Sequence, residues 1–159
     1  KSLDIDPEHL ALVQNAMFRV SNSKKGTAFK KRITTKQLRM AGKTGTAQVR
    51  NITAKERSEG VKDNADLPWE RRDHALFVNY APFDNPKIAV CVVVEHGGSG
   101  SAVAAPIARD ITLFALTGKV PDIEHYPSQV RSQIELEQKE ISERLIDWSV
   151  PLAGGQKKA

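Results

Sequence analysis

The chain has 159 residues and a net charge of +5, with 40% hydrophobic and 27% charged residues, a length and composition that favour one globular domain and exclude a disordered chain. One cysteine, Cys91, excludes an internal disulfide, and neither it nor the four histidines fall at metal-ligand spacings. No stretch approaches the roughly 20 apolar residues of a membrane span.

The mild basic excess suits an anionic surface such as a membrane or a cell-wall polymer. No helix-turn-helix, zinc-finger or aromatic platform accompanies it, which argues against nucleic acid as a partner. Residues Lys1 to His9 read "KSLDIDPEH", without an initiator Met or a signal peptide. We therefore expect a piece of a longer protein.

Asp6 and Pro7 open a helix running to about Ser23, since Asp caps well and Pro lacks only an N–H that the first turn does not use. Leu10, Val13, Met17 and Val20 give it one apolar face. A strand with a glycine-rich centre follows over 38–50; Gly42 and Gly45 imply that another backbone or a ligand comes close. Residues 51–73 form a long polar connection, either functional or mobile, with Trp69 either touching a ligand or partner or pinning the loop.

Ala75–Ala81 and Lys87–Glu95 read as an antiparallel hairpin across a Pro/Asn turn. The second strand is apolar on both faces, as a central strand is, and Cys91 is expected to be buried in it. His96-Gly97-Gly98-Ser99-Gly100 breaks the strand as a tight turn. Ser99 or Ser101 then caps a helix from about Ala102 to Leu116, with Ile107, Ile111, Phe114 and Ala115 on its core face and Gly118 at its end. Beyond Pro121, Val130, Ile134, Ile141, Leu145 and Trp148 mark an amphipathic helix over 129–148, docked on its own domain or on a partner. Ala153–Ala159 are expected to be disordered. The expected architecture is α+β: an antiparallel sheet of about three strands with helices packed on it, residues 1–118 forming the body and 119–159 a tail. Three strands leave an open edge, so the sheet reads as part of a larger one.

The stretch Lys43-Thr44-Gly45-Thr46 carries the chemistry. A lysine, two hydroxyls and free backbone N–H groups on an edge strand suit an extended peptide-like anion, and one N–H can face a developing oxyanion. Lys-Thr-Gly alone is a common tripeptide, and no nucleophile with an adjacent base accompanies it. A phosphate-binding loop is excluded, because the position five before Gly42 is Gln37 rather than glycine.

"RMAGKTGTAQV" resembles the third active-site motif of the penicillin-binding proteins, the serine acyltransferases that cross-link peptidoglycan. The stretch Arg71 to Ile111, "RRDHALFVNYAPFDNPKIAVCVVVEHGGSGSAVAAPIARDI", resembles the strand–turn–strand–helix of the class B transpeptidases, and the R-D-H, A-P-x-x-N-P and E-H-G-G-x-G segments their elongation branch. The resemblance covers about residues 6–117. It implies that Lys43 holds the substrate carboxylate and tunes proton transfer, that Thr44 and Thr46 bind the terminal carboxylate, and that the Thr46 N–H is one arm of the oxyanion hole. Gly45 makes room for the acyl chain, with Ala47 beside it in the substrate-binding strand. His74 either shapes the groove next to the motif or caps a strand end.

The nucleophile motif S-x-x-K has one formal match, Ser21 to Lys24. Ser21 ends a helix rather than opening one and lies only about twenty residues before the motif, so it does not fit the nucleophile. No S-x-N element lies upstream. The resemblance therefore implies the binding half of an active site, inactive alone, within an inner-membrane-anchored periplasmic protein that needs no cofactor and no metal. Its partners would be peptidoglycan stem peptides ending in D-Ala-D-Ala, β-lactams, the remainder of its own transpeptidase domain and membrane proteins of the elongation machinery. A serine β-lactamase or penicillin sensor of the same superfamily, and a non-catalytic peptidoglycan- or protein-binding module, remain open alternatives.

Overall fold

A computed structural model describes residues 4–148, and of 145–148 the backbone only. The described residues form one sheet and four α-helices, of which the first and third pack on the strands. Helix α1 spans Pro7–Asn22, β1 Ala41–Ala47, α2 Ala54–Glu59, β2 His74–Ala81, β3 Ile88–Val94, α3 Ala105–Thr117 and α4 Arg131–Trp148. Short 3-10 turns join several of them. The sheet runs β1-β2-β3, with both pairs antiparallel.

Asp6 caps α1 as its sequence implies: its carboxylate accepts the Glu8 N–H at 2.8 Å, and Pro7 takes the first helical position. The expected apolar face of α1 is buried only at its C-terminal end. Met17 and Val20 are half-buried against the body, whereas Leu10 and Val13 are exposed. The first two turns of α1 run beyond any element that would cover them among the described residues. The connection 51–73 holds more structure than its polarity suggests. Thr53 and Glu56 form a reciprocal capping box that starts α2, and Glu56 also takes two bonds from Arg50. The backbone N–H of Thr53, then Arg50, hold the Glu56 carboxyl below the usual range.

Register fixes two chemically distinct sheet faces. Ala75, Phe77, Asn79 and Ala81 of β2 are buried on one face, together with Val92 of β3. A π-helical turn at Gly100–Ala104 and α3 pack on that face, and the Asn79 side-chain amide donates to the buried Thr112 hydroxyl at 2.8 Å. On the opposite face Val78, Cys91 and Val93 are exposed. This corrects two expectations: β3 is an edge strand of the described sheet, not a central one, and Cys91 is not buried. Apolar side chains on both faces of β3 cannot by themselves tell which face is covered.

The face that α3 turns to the sheet is also corrected. Ala105, Ala108, Thr112 and Leu113 are buried, while Ile107, Ile111 and Phe114 are exposed. Small residues let the helix lie close to the sheet, and the larger apolar stripe points away. The tail returns over this helix. Tyr126 and Ile134 are buried there, and the Arg109 guanidinium, 2% exposed, lies 4.5 Å over the Tyr126 ring while pairing with Asp110 at 2.8 Å. Burial, and then the Asp110 charge, push the Tyr126 hydroxyl far up. The tail is further tied to the connector before β1: the Thr34 N–H donates to the His125 carbonyl at 2.9 Å, the Thr34 hydroxyl to the Glu124 carbonyl at 2.7 Å, and Thr35 bonds the His125 ring at 2.7 Å. Val130, in the 3-10 turn just before α4, and Ile134 within it meet the body, whereas Ile141 is 53% exposed. The side chains of Leu145 and Trp148, and residues Ala153–Ala159, lie outside what the structure describes.

Candidate functional site

The motif occupies β1, an edge strand among the described residues. Every second N–H of an edge strand lacks a partner within its sheet. Lys43 stands opposite Val78, Thr44 opposite Phe77, Gly45 opposite Leu76, Thr46 opposite Ala75 and Ala47 opposite His74. Lys43, Gly45, Ala47 and His74 therefore share one face, and Thr44 and Thr46 the other. Lys43, Thr46 and Ala47 are exposed, and Thr44 and Gly45 are half-buried. The Lys43 ammonium donates to the Thr44 carbonyl at 2.6 Å, and the Thr44 hydroxyl lies 3.3 Å from that of Thr27.

The two motif glycines do what their place in a strand suggests, but the close neighbours are parts of the fold. A Cβ on Gly42 would lie 2.5 Å from the Phe77 ring. Behind Gly45 stands another glycine: a Cβ on Gly100 would meet the Leu76 carbonyl oxygen at 2.4 Å and the Gly45 carbonyl oxygen at 2.5 Å. The π-helical turn thus rests backbone to backbone on the motif strand, with the Ser99 hydroxyl accepting the Ala102 N–H at its start.

At the Ala47 end the strand is held by a knot of loops. The Asp73 carboxylate accepts the Asn64 side-chain amide at 3.1 Å and the Val49 N–H at 3.4 Å. The Asp73 N–H donates to Asn64 Oδ1 at 2.7 Å, and the Asp73 carbonyl accepts the Gly98 N–H at 2.8 Å. His74 Nδ1 accepts the His96 N–H at 2.9 Å, which puts the proton of the neutral His74 ring on Nε2. His96 Nδ1 lies 2.9 Å from the Arg72 carbonyl and so must donate to it. His96 has a φ of +54°, a conformation uncommon outside glycine, and the Trp69 ring packs against its ring at a centroid distance of 4.5 Å, tilted by 59°. Trp69 therefore pins the 51–73 connection to the turn after β3.

Ser21, the formal S-x-x-K match, is fully buried at the end of α1. Among the described residues no group of three or more His, Cys, Asp or Glu could hold a metal, and no helix is long and apolar enough to cross a membrane. Thr27, Asp73 and Gly100 are the site-supporting residues that sequence reasoning missed. Asp73 and Gly100 sit in segments that the sequence marks as a family signature, but nothing in their spacing says that they touch β1. Thr27 carries no signal at all.

A three-stranded antiparallel sheet with a Lys-Thr-Gly-Thr edge strand, a hairpin and a helix laid behind it describes the C-terminal portion of a serine acyltransferase fold. The family model for the transpeptidase domain of penicillin-binding proteins matches residues 1–113, and the chain belongs to that family. Among its relatives, the peptidoglycan D,D-transpeptidase MrdA of Haemophilus influenzae is 38% identical over 133 residues, 82% of this chain and 20% of that protein. Penicillin-binding protein PBP2 of Pseudomonas aeruginosa, solved with WCK 5153, is 35% identical and superposes with a TM-score of 0.51 over 78% of this chain and 22% of its own. PBP2 of Helicobacter pylori in complex with MreC is 28% identical, with a TM-score of 0.52 over 70% of this chain and 18% of its own. The chain spans about a fifth of the length of these proteins.

Proposed function

We propose that this chain supplies the substrate-binding strand of an elongation-type peptidoglycan D,D-transpeptidase. The observation that carries the reading is the KTGT edge strand, exposed at Lys43 and Thr46, in a chain of this family. In the complete polypeptide a serine from the remainder of the domain attacks the carbonyl carbon between the two terminal D-Ala residues. The terminal D-Ala leaves with a proton, an acyl-enzyme forms, and an amine of a neighbouring stem peptide takes the acyl group and releases the serine.

The motif residues divide the work. The Lys43 ammonium sets a positive charge next to the nucleophile and the carboxylate of the bound peptide. The Thr44 and Thr46 hydroxyls donate to that carboxylate, and the Thr46 N–H faces the oxyanion. Gly45 and Ala47 let the substrate backbone lie alongside β1 as an added strand. His74, beside Ala47, shapes the far end of the groove. A β-lactam occupies the same strand through its own carboxylate. None of these steps calls for a metal or an organic cofactor.

The body formed by residues 1–118 would work in the periplasm, within a protein anchored in the inner membrane, with 119–159 as an appended tail. Membrane proteins of the elongation machinery are the expected partners, a reading supported by the PBP2–MreC complex of Helicobacter pylori.

Fluorescent-penicillin labelling of the complete polypeptide tests the activity. Label resistant to denaturation is expected on wild type, and Lys43→Ala should reduce its second-order acylation rate by about 10²–10³, the loss typical of removing one stabilising group from an acyl-transfer site. Acylation of Lys43→Ala at the wild-type rate would remove Lys43 from the site. Rapid loss of the label by hydrolysis would point instead to a β-lactamase.

A further inference from the structure

The turn between α1 and the connector to β1 is more firmly built than a surface link requires. The Gly26 N–H donates to the Ser23 carbonyl at 2.8 Å, the Ala28 N–H to the Val20 carbonyl at 3.1 Å, and Ala28 is fully buried. A Cβ on Gly26 would lie 2.2 Å from the Val20 carbonyl oxygen and 2.4 Å from that of Arg19. Glycine alone lets the chain fold back onto the last turn of α1. Asn22 locks the same turn to the start of β1, its side-chain amide donating to the Phe18 and Met40 carbonyls, both at 2.9 Å. What this clamp presents is Thr27, exposed, with its hydroxyl 3.3 Å from the Thr44 hydroxyl.

The charge around this pair suits an anion. Arg19 and Lys25 line the same surface hollow as Thr27. No acidic residue lies between Glu8 and Glu56, a stretch rich in lysine and arginine. A hydroxyl has one proton to give and two lone pairs to accept with. If the Thr44 proton goes to a carboxylate, the Thr44 oxygen is left to accept from a neighbour, and a donor there aims and strengthens the outgoing bond. The geometry points to Thr27 as a positioning residue of the carboxylate subsite. Its hydroxyl donates to Thr44 Oγ1 and turns the Thr44 proton toward the terminal carboxylate of the bound peptide or β-lactam. This assignment rests on the function proposed above. It requires no bond to Thr27 beyond that hydrogen bond.

The test measures second-order acylation of the complete polypeptide by benzylpenicillin and by its methyl ester, for wild type, Thr27→Val, Thr27→Ser, Thr44→Val and the double valine variant. Thr27→Val should lose about fivefold with benzylpenicillin, the contribution of one neutral hydrogen bond. Thr27→Ser should regain most of it, and the ester, which has no carboxylate, should react with wild type and Thr27→Val alike. The double variant should be no slower than Thr44→Val, because the two hydroxyls act as one unit. Additive losses, or an equal loss with the ester, would overturn the role of Thr27 while leaving the transpeptidase reading intact. A wild-type protein that benzylpenicillin does not acylate would overturn that reading and the role of Thr27 with it.

Discussion

Every polar group of Asp73 has a partner, and the partners belong to three different segments. Its carboxylate and N–H hold Asn64 of the long connection, its carboxylate reaches Val49 just past β1, and its carbonyl receives Gly98 after β3. Asp73→Ala removes the carboxylate contacts and leaves the backbone pair with Gly98 available. We expect a loss of about 1–3 kcal/mol of stability in denaturant melts, the typical cost of unpairing such groups. Amide exchange should speed at Val49 and change little at Gly98; unchanged exchange at Val49 would mean that Asp73 does not restrain the strand. The sequence drew attention to the neighbouring His74, because it stands at the start of a strand. It holds no record of which loops return to a strand end, so the residue that ties the end down was not legible.

Strands and helices were legible in kind, and in places not in orientation. The hairpin, the caps of α1 and the order of elements follow from turn residues and periodicity. The buried face of α3 does not, because both of its stripes are apolar and the sheet selects the one with small residues, Ala105, Ala108 and Thr112. Close packing has a parallel at the π-helical turn, where Gly100 lies on the Gly45 backbone. Sequence reading took this glycine for part of a turn; the contact with β1 joins residues far apart in the chain, which no local pattern records. Gly100→Ala puts a methyl group against two carbonyl oxygens that have no side-chain freedom to yield. The cost of such overpacking is about 1–3 kcal/mol, and it falls on the strand carrying the motif. Acylation of the complete polypeptide should drop at least about tenfold, because small misplacements of a positioned group carry large rate penalties. A variant with a lowered melting temperature and undiminished acylation would show that the turn supports the fold without setting the geometry of β1.

In the molecule as a whole, the tail is part of the body's packing. Tyr126 is buried beneath Arg109, and His125 and Glu124 are bonded to the connector that leads into β1. Replacing a fully buried aromatic by alanine costs about 3–5 kcal/mol. Tyr126→Ala in the complete polypeptide should lower its denaturation midpoint accordingly, more than Ile141→Ala on the exposed side of α4. Equal effects of the two would mean that the tail does not brace the body. The amphipathic stripe announced a helix in this region, but its polar majority gave no sign that Tyr126, outside that helix, is the residue that anchors it.

The bonds from Thr34 and Thr35 to the tail join residues ninety positions apart. During synthesis the motif strand therefore leaves the ribosome well before the segment that braces the connector feeding it, and must wait in an unsupported state. The same distance makes the locus vulnerable in a way that a list of motif residues would not reveal. A premature stop codon just after Gly118 would spare every residue of KTGT and still remove Tyr126 and His125, so a lesion outside the motif would act on the strand that carries it.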